Sequence, residues 1–160
     1  SGVNDIEDIA LVDAVAVNDP YVGSLELFDP KTMVMALLTQ ADPSAIGFSS
    51  IGGLLTPLSG EDDSALFVRF APVGSGRDSV RIKAPTAPGH YDSIGIEEVK
   101  VVPFEEEVTV EGEVLLAFDG ERKLRIPKGE VVRLCVRRDG PRVINPAKAV
   151  TLGRHVMIDN

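Results

Sequence analysis

Asp119-Gly120 sits between two arms of alternating apolar residues, and no other feature of the sequence restricts the fold as strongly. Val114, Leu116 and Phe118 alternate before it; Leu124 and Ile126 alternate after it. A two-residue Asp-Gly connection between such arms needs positive φ angles and matches the twist of an antiparallel pair, so 113–126 reads as a β-hairpin. Turn signals recur about every ten residues along the rest of the chain, as expected where short strands dominate.

Between those signals, 11–18, 21–28, 65–71, 79–85, 93–102, 107–114 and 131–137 read as strands. In the last of these, Val132, Leu134 and Val136 point one way and Arg133, Cys135 and Arg137 the other. The apolar run 33–39 fits a buried strand or a short helix, and its length favours the strand. Asp42 can cap a helix, Pro43 suits a first helical position and Gly52-Gly53 suits an end, which predicts a short helix over 43–51. Gly47 and three serines make poor helix interior, so packing or a ligand must help to hold it. The expectation is a mainly β (α+β) chain forming an antiparallel, sandwich-like single domain over 1–160, with one or two short helices.

At 160 residues, with 44% apolar and 26% charged side chains, the chain is large enough for a core without disulfides or metal. A net charge of −9 and a pI near 4.7 work against binding nucleic acid or anionic lipid. Cys135 is the single cysteine, which leaves no disulfide framework, and no apolar run approaches a membrane span. The start lacks the pattern of a signal peptide, so a cytoplasmic setting is expected.

Local motifs are weak. Gly74-Ser75-Gly76 lacks the lysine of a phosphate loop and reads as a hairpin tip. His90 and His155 have no metal-ligand spacing, no metal site is expected, and Ser49-Ser50 has no nucleophile elbow. Phe104 to Glu107 is an acidic run that reads as a solvated face. Arg133, Arg137, Arg138 and Arg142 suit either a phosphate or an exposed strand face. The proline-rich 84–91 stretch, ending on Gly89-His90, is either an ordered binding loop or a connection between strands.

Taken in order, "DPSAIGFSSIGGLLTP", "APTAPGH" and "LLAFDGE" with "VRRDGP" resemble the C-terminal half of the ATP-NAD kinase superfamily, most closely its AcoX-type branch. The resemblance spans about 11–152. It implies the β-rich, NAD-binding half of a two-domain kinase, whose other, α/β half carries Gly-Gly-Asp-Gly-Thr and holds ATP with magnesium. That motif is absent here, so no catalytic residue is assigned and no turnover by this chain alone is expected. The resemblance places Ser50 where a serine meets the nicotinamide end of NAD. Ala45 and Ile46 stand at a Thr-Ala pair lining the dinucleotide pocket, and Gly47 at a tyrosine. Asn18 and Asp19 match an Asn-Glu pair; His90, at the end of the proline-rich stretch, is a further candidate ligand contact.

Departures from typical NAD kinases, including Val34 where an acidic residue is usual, fit the AcoX-type branch. The resemblance further implies a small nucleotide ligand, a kinase domain as partner and a homo-oligomer. Two functions compete: an acceptor-binding half of a small-molecule kinase, and an assembly module without ligand, for which a patch around Met33, Met35 and Leu37 would speak. A lipid-kinase relative is a third, disfavoured by acidity and the lack of an amphipathic helix.

Overall fold

The structure, a computed structural model, describes residues 7–19, 26–142 and 144–154. Its centre is an antiparallel sheet built from β1 (Asp13–Val17), β2 (Met33–Leu38), β3 (Ser64–Phe70), β4 (Val80–Ala87), β5 (His90–Pro103), β7 (Val114–Phe118) and β8 (Arg122–Ile126). Their order across the sheet is β4-β5-β3-β2-β1-β7-β8. β6 (Glu107–Glu111) and β9 (Val131–Cys135) form a second, two-stranded antiparallel sheet. Helix α1 (Phe48–Leu55) packs against β2 and β4, and helix α2 (Pro146–Gly153) follows the strands.

The central sheet is buried on both faces, because its strands send apolar side chains both ways. Val15, Val17, Leu66, Val68, Leu115 and Ala117 face α1; Ala14, Ala16, Ala65, Phe67, Leu116 and Phe118 face the side of β6 and β9. Full burial of a side chain such as Leu66 or Leu116 contributes about 1.5–3 kcal/mol. A β-bulge decides the fate of the methionines. Ala16 lies opposite Met35 and Val17 opposite Met33, so Val34 is an inserted residue. Met33 therefore faces α1 and Met35 the opposite core, although residues two apart in a regular strand share a face. Both, with Leu37, are covered within the chain and offer no apolar surface patch.

The hairpin forms at Asp119-Gly120, with φ +54 and +71, but Phe118 pairs with Arg122, so the connection is three residues long, 119–121, rather than two. Four other expectations are corrected. The helix runs 48–55 rather than 43–51. Asp42 accepts from the N–H and hydroxyl of Ser44, closing a turn that stops short of a helix, and Gly47 at φ +83 cannot lie inside one. Gly52 and Gly53 do not end the helix but bring its backbone close: a Cβ on Gly52 would sit 2.5 Å from Leu38 Cδ1, and one on Gly53 would sit 2.2 Å from Pro43 N.

The 107–114 stretch is two strands broken at Gly112, whose φ is +103. The 74–76 loop is not a hairpin tip, since β3 and β4 do not pair with each other but both pair with β5. Of the expected strand 21–28, residues 21–25 lie outside the described residues, and Glu26–Phe28 is a 3-10 turn. The ambiguous run at 33–39 is a strand, and 84–91 is the end of β4, a two-residue turn and the start of β5.

Candidate functional site

Two motifs far apart in sequence meet at the N-terminal end of α1. The Gly47 N–H donates to the Pro85 carbonyl at 2.9 Å, joining the helix loop to the proline-rich end of β4. Proline is tolerated there because β4 is an edge strand. A bulge follows: Pro85 pairs with Tyr91 and Ala87 with His90, leaving Thr86 as the extra residue. Such bulges re-aim side chains. The Thr86 hydroxyl, buried, donates to Asp92 Oδ2 at 2.5 Å, and His90 Nε2 lies 3.3 Å from the same oxygen.

A cavity of about 390 Å³ opens beside this group, lined by Phe28, Asp29, Pro30, Thr86, Ala87, His90 and Asp92. Phe28 is held by stacking on Phe48, with centroids 4.6 Å apart, and Phe48 in turn leans on Phe70. Gly47 is part of this packing, since a Cβ there would come within 2.9 Å of Phe28 Cε1. Asp29 anchors its own turn, accepting from the Lys31 N–H at 2.9 Å through the carboxylate and from the Thr32 N–H through the carbonyl.

The expected ligand residues fall into four groups. Gly47 and His90 converge here, one packed behind the aromatic wall and the other on the cavity rim. Asn18, exposed past the end of β1, donates its N–H to Thr32 at 2.7 Å and so is tied to the 29–32 turn; Asp19 is the next residue. Ala45 is half-buried and Ile46 exposed in the turn before α1. Ser50 lies deeper than the rest. It is fully buried, and its Oγ has no hydrogen-bond partner among the described residues. An unpaired buried hydroxyl costs about 1–3 kcal/mol, which sets Ser50 apart from the aliphatic core around it.

Sequence reasoning did not single out Phe28, Asp29, Thr86 or Asp92. Asp92 stands two residues from His90 on one strand, a spacing that puts both on the same face, and this was the available signal. Phe28 was hidden by reading its segment as a strand, and Thr86 by a bulge that no local pattern announces.

A larger groove, about 760 Å³, runs between residues 7–11 and 133–141. Its arginines are engaged: Arg133 with Glu107, Arg137 with Glu105 and Asp139, and Arg138 with Asp63 and the carbonyls of Gly60, Glu61 and Asp62. The acidic 104–107 run is the other half of those pairs, with Glu106 meeting Lys100. Asp119 also works here. Its carboxylate accepts from the N–H groups of Leu11 and Val12 at 2.9 and 2.7 Å, and Arg122 binds Asp8 and the Ile9 carbonyl, so the hairpin clamps the segment leading into β1. Bonds from Ile9 N–H and then Arg122 hold the Asp8 carboxyl below its ordinary range.

Among the described residues no cluster of His, Cys, Asp and Glu could hold a metal, and no helix is long and apolar enough to cross a membrane. His155 lies outside them.

The model of a family described as the acetoin catabolism protein X C-terminal domain matches residues 2–139. Acetoin catabolism protein X of Cupriavidus necator is 31% identical over 150 residues, which cover 92% of this chain and 41% of that protein. The chain thus spans about two fifths of the curated relative's length. No solved structure matches it.

Proposed function

Since the chain belongs to the acetoin catabolism protein X C-terminal domain family, we propose that it is the acceptor-binding part of a small-molecule kinase of the ATP-NAD kinase type. The observation that carries this reading is the meeting of the helix loop at Gly47 with the Pro85–His90 hairpin around one cavity. The resemblance placed ligand contacts in the first of these segments, and the second is the proline-rich stretch that ends on the candidate contact His90. An NAD-like dinucleotide lies against this end of α1, with His90 at the rim and Ile46 exposed beside it. Ser50 supports the same site from within.

Phosphoryl transfer depends on positioning the acceptor hydroxyl and on stabilising charge at the transferring group. This chain supplies the first, and the nucleotide triphosphate with its magnesium belongs to the rest of the protein. Acetoin catabolism, named for the relative, makes a small hydroxylated carbon compound the alternative acceptor.

Calorimetric titration with NAD, NADP and ATP tests the reading. Saturable heat is expected with NAD or NADP, none with ATP, and loss of the NAD or NADP heat in His90→Ala and Ile46→Asp, both at exposed positions. A chain that is folded by circular dichroism yet gives no heat with any of the three rejects an acceptor site in this domain.

A second reading, an assembly module, draws on a different observation. α2 buries none of its residues, and Ile144, Val150 and Leu152 are exposed on and beside it. Sedimentation equilibrium separates the two readings: a dimer lost on Leu152→Glu with nucleotide binding retained assigns assembly to α2 alone.

A further inference from the structure

We infer that the cavity beside Phe28 selects a flat, positively charged group, so that a dinucleotide binding there is taken in its oxidised, pyridinium form over its neutral, reduced form. The inference rests on the acceptor-site reading only for naming the dinucleotide.

Among the described residues that line the cavity, two are carboxylates, Asp29 and Asp92, one is His90, whose Nε2 shares Asp92 Oδ2 with Thr86, and none is a lysine or arginine. The described bonds of Asp92 run through Oδ2 and those of the Asp29 carboxylate through Oδ1, so each retains lone pairs for a ligand. Thr86 fixes Asp92 from a buried position, which stops the carboxylate from turning away.

The aromatic rings make the sharper argument. Elsewhere this chain lays its own cations over its rings: Arg69 over Phe67, Arg122 over Phe118, Arg138 over Phe104 and Lys83 over Tyr91, at 5.2 to 6.0 Å from the centroids. Phe28, the ring lining the cavity, carries no such lysine or arginine among the described residues, and its titratable neighbours on the cavity are Asp29, Asp92 and His90, the last set against Asp92 rather than over the ring. An aromatic face attracts a cation through its quadrupole, and the carboxylates add Coulomb attraction in a partly enclosed space. A phosphate would meet both with the wrong sign. The acceptor's pyrophosphate therefore lies outside this cavity.

The test compares 1-methylnicotinamide, a cation, with nicotinamide, its neutral counterpart, by NMR titration of the chain, followed by NAD against NADH. The cation is expected to bind about five- to tenfold more tightly. The preference should shrink in Asp92→Asn and in Asp29→Asn, the latter a turn residue whose exchange is compatible with folding. Phe28→Leu, checked for folding by circular dichroism, should shrink it too.

Equal binding of the two probes, a preference for the neutral one, or no binding of either overturns the inference. Saturable NAD and NADH binding of equal strength also overturns it while leaving the acceptor site standing. Selective binding of 1-methylnicotinamide without NAD binding supports the charge selection and removes the dinucleotide reading.

Discussion

On one face of the central sheet, α1 presses its own backbone against β2 and the 41–43 turn, at distances that only glycine permits at positions 52 and 53. On the other face, β6 and β9 stand off the sheet on Val108, Val110, Val132 and Leu134, and their edges are trimmed by exposed ion pairs such as Arg133 with Glu107. The α1 face includes a left-handed glycine, a bulged threonine and a buried hydroxyl without a partner. On the side of β6 and β9, left-handed backbone falls in the turns, at Glu105, Gly112 and Asp119, and no buried side-chain hydroxyl is left unpartnered among the described residues. The unpaired hydroxyl and the approaches that only glycine permits therefore lie on the α1 face, while the opposite face is held by ordinary aliphatic burial with left-handed turn residues at its margin.

The sharpest way to break that comparison is Gly53→Ala. The added Cβ meets backbone atoms of Asp42 and Pro43, so a loss of about 3 kcal/mol is expected in urea unfolding. A loss below about 1 kcal/mol would mean that the close approach of α1 is dispensable, since overpacking against backbone costs more than that.

Asp119→Ala comes next, away from α1. It removes the acceptor for Leu11 and Val12 and puts alanine at φ +54, so about 1–2 kcal/mol should be lost with ligand binding untouched. Weakened nucleotide binding in this variant would show that the two regions are coupled.

Ser50→Ala should do the opposite of both. Deleting an unpaired buried hydroxyl is expected to raise stability by about 1 kcal/mol, and reduced ligand binding in the same variant would mark the hydroxyl as kept for function. If the variant is destabilised, the hydroxyl has a structural partner and the contrast between the faces weakens.

The smallest effect concerns pH. Burial, and then the charge of Asp119, raise the Asp13 carboxyl above its ordinary 3.8. Its ionised form is therefore disfavoured by folding: the penalty is full above the raised value, fades as pH falls through it and is gone below 3.8. Asp13→Asn should raise the urea midpoint at neutral pH and lose that advantage on acidification. An advantage that stays constant with pH would assign it to packing.

The strands were largely legible because alternation and turn residues are local signals. β2, β3 and the Asp119-Gly120 hairpin were read within a residue or two. The helix was displaced because Asp42-Pro43 and Gly52-Gly53 carry the chemistry of helix ends, while here they make a turn and a tight contact. What decides between those roles is the proximity of Leu38 and Pro43, which no local pattern reveals. The same holds for the cavity. His90 and Gly47 could be named in advance, but Thr86 was re-aimed by a bulge and Phe28 placed by stacking on Phe48, and both are tertiary facts.

The seam between β1 and β7 has a consequence for how the molecule is made. Leu11 and the carboxylate that holds it are 108 residues apart along the chain, and β1 pairs with β7 only a little beyond that clamp. A nascent chain synthesised through β6 would display β1 as an open edge, a template for pairing with a neighbour. Closing so long a loop costs entropy before any ladder bond repays it, so this seam should be the last to gain hydrogen-exchange protection during refolding.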